Sequence, residues 1–186
     1  MATLVVFLLG FIINPISVIS PAYLVEKGYS EVFGASVYSG TLLVMGAAKI
    51  MVGYLHDRLG IRTSIFLAMG AFIAGVATLL LAESEWLIWV FMALEGLALP
   101  ALSVIIPLYA MAVLGKENVS SYLGVWVAVL HVGVGTGVPA MNYLFDLTGT
   151  YAWAAAGAIG LAVVTLALVS ASLKGGRLDT EDRSTK

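Results

Sequence analysis

The sequence contains no cysteine and few charged residues. The absence of cysteine among 186 residues excludes disulfides, thiolate nucleophiles and cysteine-ligated metal sites. Only 11% of the residues are charged and 61% are hydrophobic, whereas about a quarter of the residues in soluble globular proteins are charged. The chain therefore has too little charge to cover a water-soluble surface, and we expect the lipid bilayer to be its solvent.

The sequence contains no run of basic residues and no run of acidic residues. Nine Lys and Arg residues are scattered singly, and the net charge is −2. Because nucleic-acid binding needs a basic patch, no nucleic-acid partner is predicted. The only two histidines, His56 and His131, are 75 positions apart, which argues against a histidine metal site. We expect neither a metal nor a cofactor.

Long apolar runs dominate what is present. Each run has about 20 residues or more, which is the length of a membrane-spanning helix. Short breaks separate the runs, so neighbouring helices should be antiparallel. The sequence thus predicts an all-α integral membrane domain over residues 1–174 and a disordered polar tail over 175–186. The predicted helices cover about 2–24, 32–55, 61–82, 86–114, 119–145 and 151–173.

Basic residues lie mainly on one side of this predicted bundle. With six crossings, both termini share a side with the second and fourth loops. The basic residues on that side are Arg58, Arg62, Lys116, Lys174, Arg177, Arg183 and Lys186. The opposite side has only Lys27. The positive-inside rule therefore predicts two cytoplasmic termini in a plasma (inner) membrane.

The chain also resembles itself at a shift of 89 positions. In both of the segments that this shift aligns, the matching residues lie at the end of the second helix of a three-helix group. The two groups enter the membrane from opposite sides. This is the pattern of inverted repeats in secondary transporters. The shift aligns Tyr54, Leu55, Asp57 and Gly60 with Tyr143, Leu144, Asp146 and Gly149.

The segment from Gly53 to Arg62 reads G-x-x-x-D-R-x-G-x-R, which resembles the loop signature of the major facilitator superfamily. The resemblance implies a gating role for its five defining residues in a cytoplasmic turn. Physical reasons support the residue types, because a glycine allows close helix approach or a tight turn, and an aspartate can pair with arginine or cap the N-terminus of a facing helix. The five residues are Gly53, Asp57, Arg58, Gly60 and Arg62.

The resemblance covers six of the family's twelve helices and favours the C-terminal half. Residues 143–151 are similar to the segment before the final helix in the monocarboxylate and oxalate/formate exchanger branches, with Asp146 and Gly149 as counterparts of the loop signature. Met1 directly precedes the first helix, so no N-terminal half is expected in this chain. The implied partner is a second six-helix half, either a separate N-terminal half or another copy.

Four polar residues interrupt the predicted helices and are candidate sites for substrate or coupling ion: Asn14, Lys49, Glu95 and His131. Lys49 either contacts an anionic substrate or extends its ammonium group to the membrane surface. The resemblance favours the first alternative, because the anion-exchanger branches carry a cation before a glycine at this spacing.

The other three candidates also have two or more interpretations. Glu95 carries a proton, packs as a protonated acid against a neighbouring helix, or pairs with Lys49. His131 binds substrate or titrates, or is satisfied by a neighbouring hydroxyl group. Asn14 precedes Pro15, which breaks the helix and either exposes a carbonyl to a cavity or makes a simple kink.

The function predicted from these observations is secondary active transport of a small solute, preferably an organic anion, by alternating access without a cofactor. One alternative is a non-transporting membrane scaffold. Another is a rhomboid-like intramembrane serine protease in which Ser36 is paired with His131. The second alternative requires the nucleophile and its base to lie within hydrogen-bond reach.

Overall fold

The computed structural model describes residues 1–115 and 119–184, with side chains as far as residue 173. Every regular element in this part of the chain is helical, which confirms the predicted all-α class. The elements are α1 (Ala2–Glu26), α2 (Glu31–Leu80), α3 (Glu85–Ala98), a π-helical turn (Ala101–Ile105), α4 (Ile106–Leu114), α5 (Val119–Thr148) and α6 (Ala152–Ser184).

Five helices within the described residues are long and apolar enough to cross a membrane, whereas the sequence predicted six. They are α1, α2, the continuous segment Glu85–Leu114, α5 and the Ala152–Leu173 part of α6. The difference from the prediction lies in α2. Its 50 residues are more than twice the roughly 20 that one crossing requires.

A single residue, Gly60, interrupts α2. Its φ of 76° and ψ of 170° are non-helical, and a positive φ of this kind favours glycine. The predicted loop at 56–60 is therefore reduced to one residue, because 56–59 contain neither proline nor glycine to end the helix earlier. We call residues 31–59 the first arm and 61–80 the second arm. Met51 and Leu67, one from each arm, line the same groove, so the arms lie side by side.

The centre of the bundle is α1, which buries apolar side chains on most of its circumference, including Val5, Ile12 and Ile13. One stripe of this helix is exposed and includes Leu4, Val18 and Val25. It packs against α5, α2 and α6. In contrast, α6 buries a single stripe. The buried residues of that stripe are Ala154, Ala155, Ala158, Ala162, Thr165 and Val169. A peripheral position for α6 is consistent with its lack of ionisable residues inside the membrane-spanning part.

Glycines bring two pairs of helices into close contact. On α5, Gly133 and Gly137 lie against the backbone of α1, and a Cβ atom added at Gly137 would be 2.5 Å from the carbonyl oxygen of Phe11. On α3, a Cβ added at Gly96 would be 2.6 Å from the side chain of Val44 in the first arm. Small residues at such crossings let helix backbones approach in a membrane.

The C-terminal part of the chain differs from the prediction. Helix α6 continues to Ser184, whereas the apolar pattern predicted an end near 173 and an irregular tail over 175–186. No proline follows residue 173, so no residue there lacks the N–H that a helix needs, and the glycines at 175 and 176 do not end the helix. Lys116 and Lys186, on which the predicted orientation partly depends, lie outside the described residues.

Candidate functional site

A cavity of about 380 Å³ lies between α1, α5 and the segment that contains the π-helical turn. It brings together Asn14 and His131, two of the four polar residues predicted as candidates, from helices far apart in the sequence. The lining residues are Asn14, Leu102, Ser103, Ile106, Pro107, Val127, Leu130, His131 and Val134.

The backbone beside this cavity departs from regular α-helix. Pro100 precedes the π-helical turn, and the N–H of Ile106 donates to the carbonyl of Ala101, five residues earlier. Pro107 has no N–H and cannot donate to the turn that contains Ser103. Such π-helical turns are frequent at functional sites. Sequence reasoning missed Ser103, although a hydroxyl between two closely spaced prolines is a detectable signal.

The polar groups of the cavity have hydrogen-bonding capacity to spare. His131 Nδ1 lies 2.7 Å from the carbonyl oxygen of Val127, which only accepts, so Nδ1 carries a proton. In the tautomer with one ring proton, Nε2 is then an acceptor. Within the described residues, the side chains of Asn14 and Ser103 have no hydrogen-bond partner. The cavity therefore offers an amide, a hydroxyl and an imidazole nitrogen to a small polar solute.

Glu95 lies outside the cavity and is fully buried on α3. Ser17 Oγ donates a 2.6 Å hydrogen bond to Glu95 Oε1, and Oε2 has no partner among the described residues. Ser17 follows Asn14 by three residues, so this contact is about one helical turn from the cavity. Sequence reasoning did not single out Ser17, although its spacing of three residues from Asn14 places both residues on one side of the helix.

Lys49 lies on the exposed surface of the first arm of α2. It forms no ion pair with Glu95 or with any other carboxylate in the described part of the chain, so the ion-pair alternative for Glu95 is not observed. Lys49 also does not line the cavity that contains Asn14 and His131. Its position leaves the ammonium group available to a solute, to water or to another protein.

The comparison with protein families decides the classification of this fold. The model of the Major Facilitator Superfamily matches residues 2–184. The chain belongs to the major facilitator superfamily. Searches of curated proteins and of solved structures gave no match. The family consists of membrane transporters, so the chain is an integral membrane protein with a transport function and a small-molecule substrate.

The superfamily's loop signature lies at the junction of the two arms of α2. Gly60 makes the predicted turn, but a Cβ added at Gly53 would meet nothing within 4 Å, so the close helix approach expected at Gly53 is absent from the described structure. Asp57 is exposed and forms no ion pair with a described residue. Arg58 lies over the ring of Tyr54 at 5.1 Å and Arg62 over that of Phe66 at 5.9 Å.

The counterpart segment is at the other end of the bundle. Gly149 has a φ of 73° and makes the turn between α5 and α6, while Asp146 is exposed. Glu26, a residue that the sequence did not single out, accepts hydrogen bonds from the Thr150 hydroxyl and from the Tyr151 N–H, the latter at 2.9 Å. This carboxylate therefore ties the end of α1 to the beginning of α6.

Tyr151 lies just before the membrane-spanning part of α6. Its hydroxyl donates to Asn142 Oδ1 at 3.1 Å, and its ring stacks on Phe145. Partial burial, together with the charges of Asp146 and Glu26, raises the pKa of the Tyr151 phenol above its usual value. The phenol therefore stays neutral and remains a hydrogen-bond donor throughout the physiological pH range.

The geometry of a serine protease is not present. Ser36 Oγ donates to the carbonyl of Val32 at 2.8 Å, and His131 is bonded to Val127 on its own helix. No hydrogen bond joins Ser36 to His131, so this histidine does not activate the hydroxyl. In the described residues there is also no group of three or more His, Asp or Glu side chains that could hold a metal ion.

Proposed function

We propose that the chain is a six-crossing half of a secondary transporter, of the C-terminal type and nearest to the monocarboxylate and oxalate/formate exchanger branches, which moves a small organic anion by alternating access. The observation that carries this proposal is the cavity between α1, α5 and the π-helical turn. Asn14, Ser103 and His131 Nε2 meet there with hydrogen-bonding capacity unused by the described residues. Polar groups at membrane depth are energetically costly, and where they occur they commonly mark a substrate or ion pathway.

The break at Gly60 supports six crossings, because each arm of α2 is long enough to span a membrane. The close helix crossings support the inverted repeat. The shift of 89 positions that aligns Asp57 with Asp146 also aligns Phe7 with Gly96 and Val44 with Gly133. Gly133 touches Phe7, and Gly96 touches Val44. The two crossings are thus made by equivalent pairs of positions.

Exposed polar residues on α2 and α5 support a second six-helix unit as the partner, whether an N-terminal half or another copy. Lys49 on α2 and His131, Thr136 and Asn142 on α5 are all exposed. Such groups would be costly against lipid hydrocarbon, so we propose that these residues face the partner around a water-filled path. The proposed orientation puts both termini in the cytoplasm.

The organic-anion substrate rests on Lys49, because it is an intramembrane cation without a carboxylate partner in the described residues. Asn14 and Ser103 add uncharged donors that suit carboxylate oxygens. His131 and Glu95 are the proposed candidates for proton coupling. Of the two, His131 lines the cavity directly, whereas Glu95 contacts it only through Ser17 and α1.

Ligand-induced thermal stabilisation of the purified full chain tests this proposal. The ligands are pairs of small carboxylates and the uncharged amides of the same carbon skeleton. We expect the carboxylates alone to raise the unfolding temperature, since a ligand at 100 times its Kd stabilises a protein by about 2.7 kcal/mol. Ser103→Ala should weaken the effect, whereas Ser170→Ala, on α6 with its hydroxyl bonded to Leu166, should not. Equal stabilisation by the amides would exclude an anion site.

A further inference from the structure

A second concave surface lies away from the polar cavity. It is an apolar groove of about 440 Å³ between the two arms of α2 and α3. Met51, Leu55, Phe66, Leu67 and Ala74 are among its lining residues. Ser64 also lines the groove, but its hydroxyl is satisfied by the carbonyl of Gly60 at 3.0 Å. The groove therefore offers shape and apolar surface but no free hydrogen-bonding group of a side chain.

The dimensions of the groove match one leaflet of a bilayer. Phe66 and Ala74 are separated by eight residues on the second arm, or about 12 Å along the helix. Half of the hydrocarbon core is about 15 Å thick. Met51, Phe66 and Leu67 are exposed at the edge of the groove, so it is open to the surrounding lipid. An extended acyl chain fits this shape.

A positive charge lies at one end of the groove. The Arg62 guanidinium is 5.9 Å from the ring centre of Phe66, and Phe66 is part of the groove wall. Arg58 lies nearby over Tyr54. Neither arginine forms an ion pair with a carboxylate among the described residues, although the exposed Asp57 precedes Arg58. A guanidinium at this position is suited to a phosphate group.

We propose that this groove binds one acyl chain of an anionic phospholipid from the leaflet that contains Arg58 and Arg62, with the lipid phosphate against Arg62. The apolar wall selects a hydrocarbon chain of about one leaflet in length. The unpaired guanidinium at its end selects a negative headgroup at the depth of the membrane surface. Because the groove lies on the surface of the bundle, away from the polar cavity, it binds lipid whether or not a solute occupies that cavity.

Quenching by brominated lipids tests the proposal on the full chain in nanodiscs. A cysteine at Leu67, unique because the chain has none, carries a bimane fluorophore at the rim of the groove. Brominated-chain phosphatidylglycerol is compared with phosphatidylcholine of the same brominated chains at equal mole fractions. In titrations of both lipids over the same range, we expect half-maximal quenching at a several-fold lower mole fraction of the anionic lipid, because each juxtamembrane arginine favours anionic lipid about fivefold. Equal quenching by the two lipids would overturn the proposal.

Two variants separate the groove from diffuse surface charge. Arg62→Gln should reduce the preference about fivefold. Gly70 lines the groove, so Gly70→Leu fills it, and the added Cβ meets nothing within 4 Å. The matched control is Gly160→Leu on α6, where the added Cβ also meets nothing within 4 Å. The preference should disappear in Gly70→Leu and persist in Gly160→Leu. A preference that survives Gly70→Leu would place the anionic lipid elsewhere and refute the groove as its site.

Discussion

Ser17 on α1 and Glu95 on α3 form a hydrogen bond of 2.6 Å in a part of the bundle that is closed to the surroundings. The bond joins two helices that are far apart in the sequence, and no cation accompanies the carboxyl among the described residues. Of the three roles considered for Glu95, packing against a neighbouring helix agrees best with this geometry. The role in proton coupling can be separated from packing by experiment.

We predict that Glu95→Gln keeps the thermal stability of the chain in detergent, because the amide oxygen can still accept the Ser17 hydroxyl proton. Glu95→Ala should lower the free energy of unfolding by about 1–3 kcal/mol, since it removes the bond and leaves a cavity. Tryptophan fluorescence during thermal unfolding measures the stability of both variants. Glu83→Ala is the control, because Glu83 is exposed. Stability of Glu95→Gln does not separate packing from proton coupling, but uptake does: if Glu95 carries the proton, Glu95→Gln should lose pH-driven uptake and keep exchange, whereas a packing role leaves both intact.

The sequence predicted the membrane class, the positions of the apolar segments and the turn at Gly60, because these depend on local composition and on a residue that accepts a positive φ. It did not predict that Asn14 and His131 share a cavity from which Lys49 is absent. That outcome depends on how the helices rotate and pack about their axes. The π-helical turn, which places Ser103, results from two prolines acting within a packed segment and has no simple periodic signal.

We predict that Gly133→Ala destabilises the α1–α5 crossing by about 1–3 kcal/mol, the usual cost of overpacking. The added methyl group would overlap the backbone of Phe7 and Phe11. Gly135→Ala is a matched control on the same helix, because its added Cβ meets nothing within 4 Å. Thermal unfolding of both variants measures the difference. Equal stability of the two would show that the crossing is looser than the structure has it.

We predict that a cysteine at Ser84 reacts with a membrane-impermeant maleimide added to intact cells, whereas a cysteine at Leu59 does not. Both positions are exposed, and they lie at opposite ends of the second arm of α2. The natural chain has no cysteine that could obscure the readout. Labelling after permeabilisation controls for the reactivity of Leu59→Cys. Reversed labelling would contradict the cytoplasmic position of the loop signature and of both termini.

The last prediction concerns Lys49 and the charge of the substrate. In an assembly that transports, Lys49→Ala should lower kcat/KM for a carboxylate by about tenfold to a hundredfold. The reason is that a hydrogen bond to a charged group contributes about 1.5–3 kcal/mol. Lys49→Arg should retain part of the activity, because arginine keeps the charge but changes the donor geometry. Uptake of labelled carboxylates into proteoliposomes measures these values.

A matched control for Lys49 is Lys27→Ala, because Lys27 is an exposed lysine that lies over the ring of Tyr23 at the end of α1. Its removal should leave carboxylate uptake within about twofold, since an exposed charge contributes little. If Lys49 only extends its ammonium group to the membrane surface, Lys49→Ala should transport as well as the natural chain. Unchanged carboxylate uptake in Lys49→Ala would therefore remove the main support for an anionic substrate, while membership of the transporter family would stand.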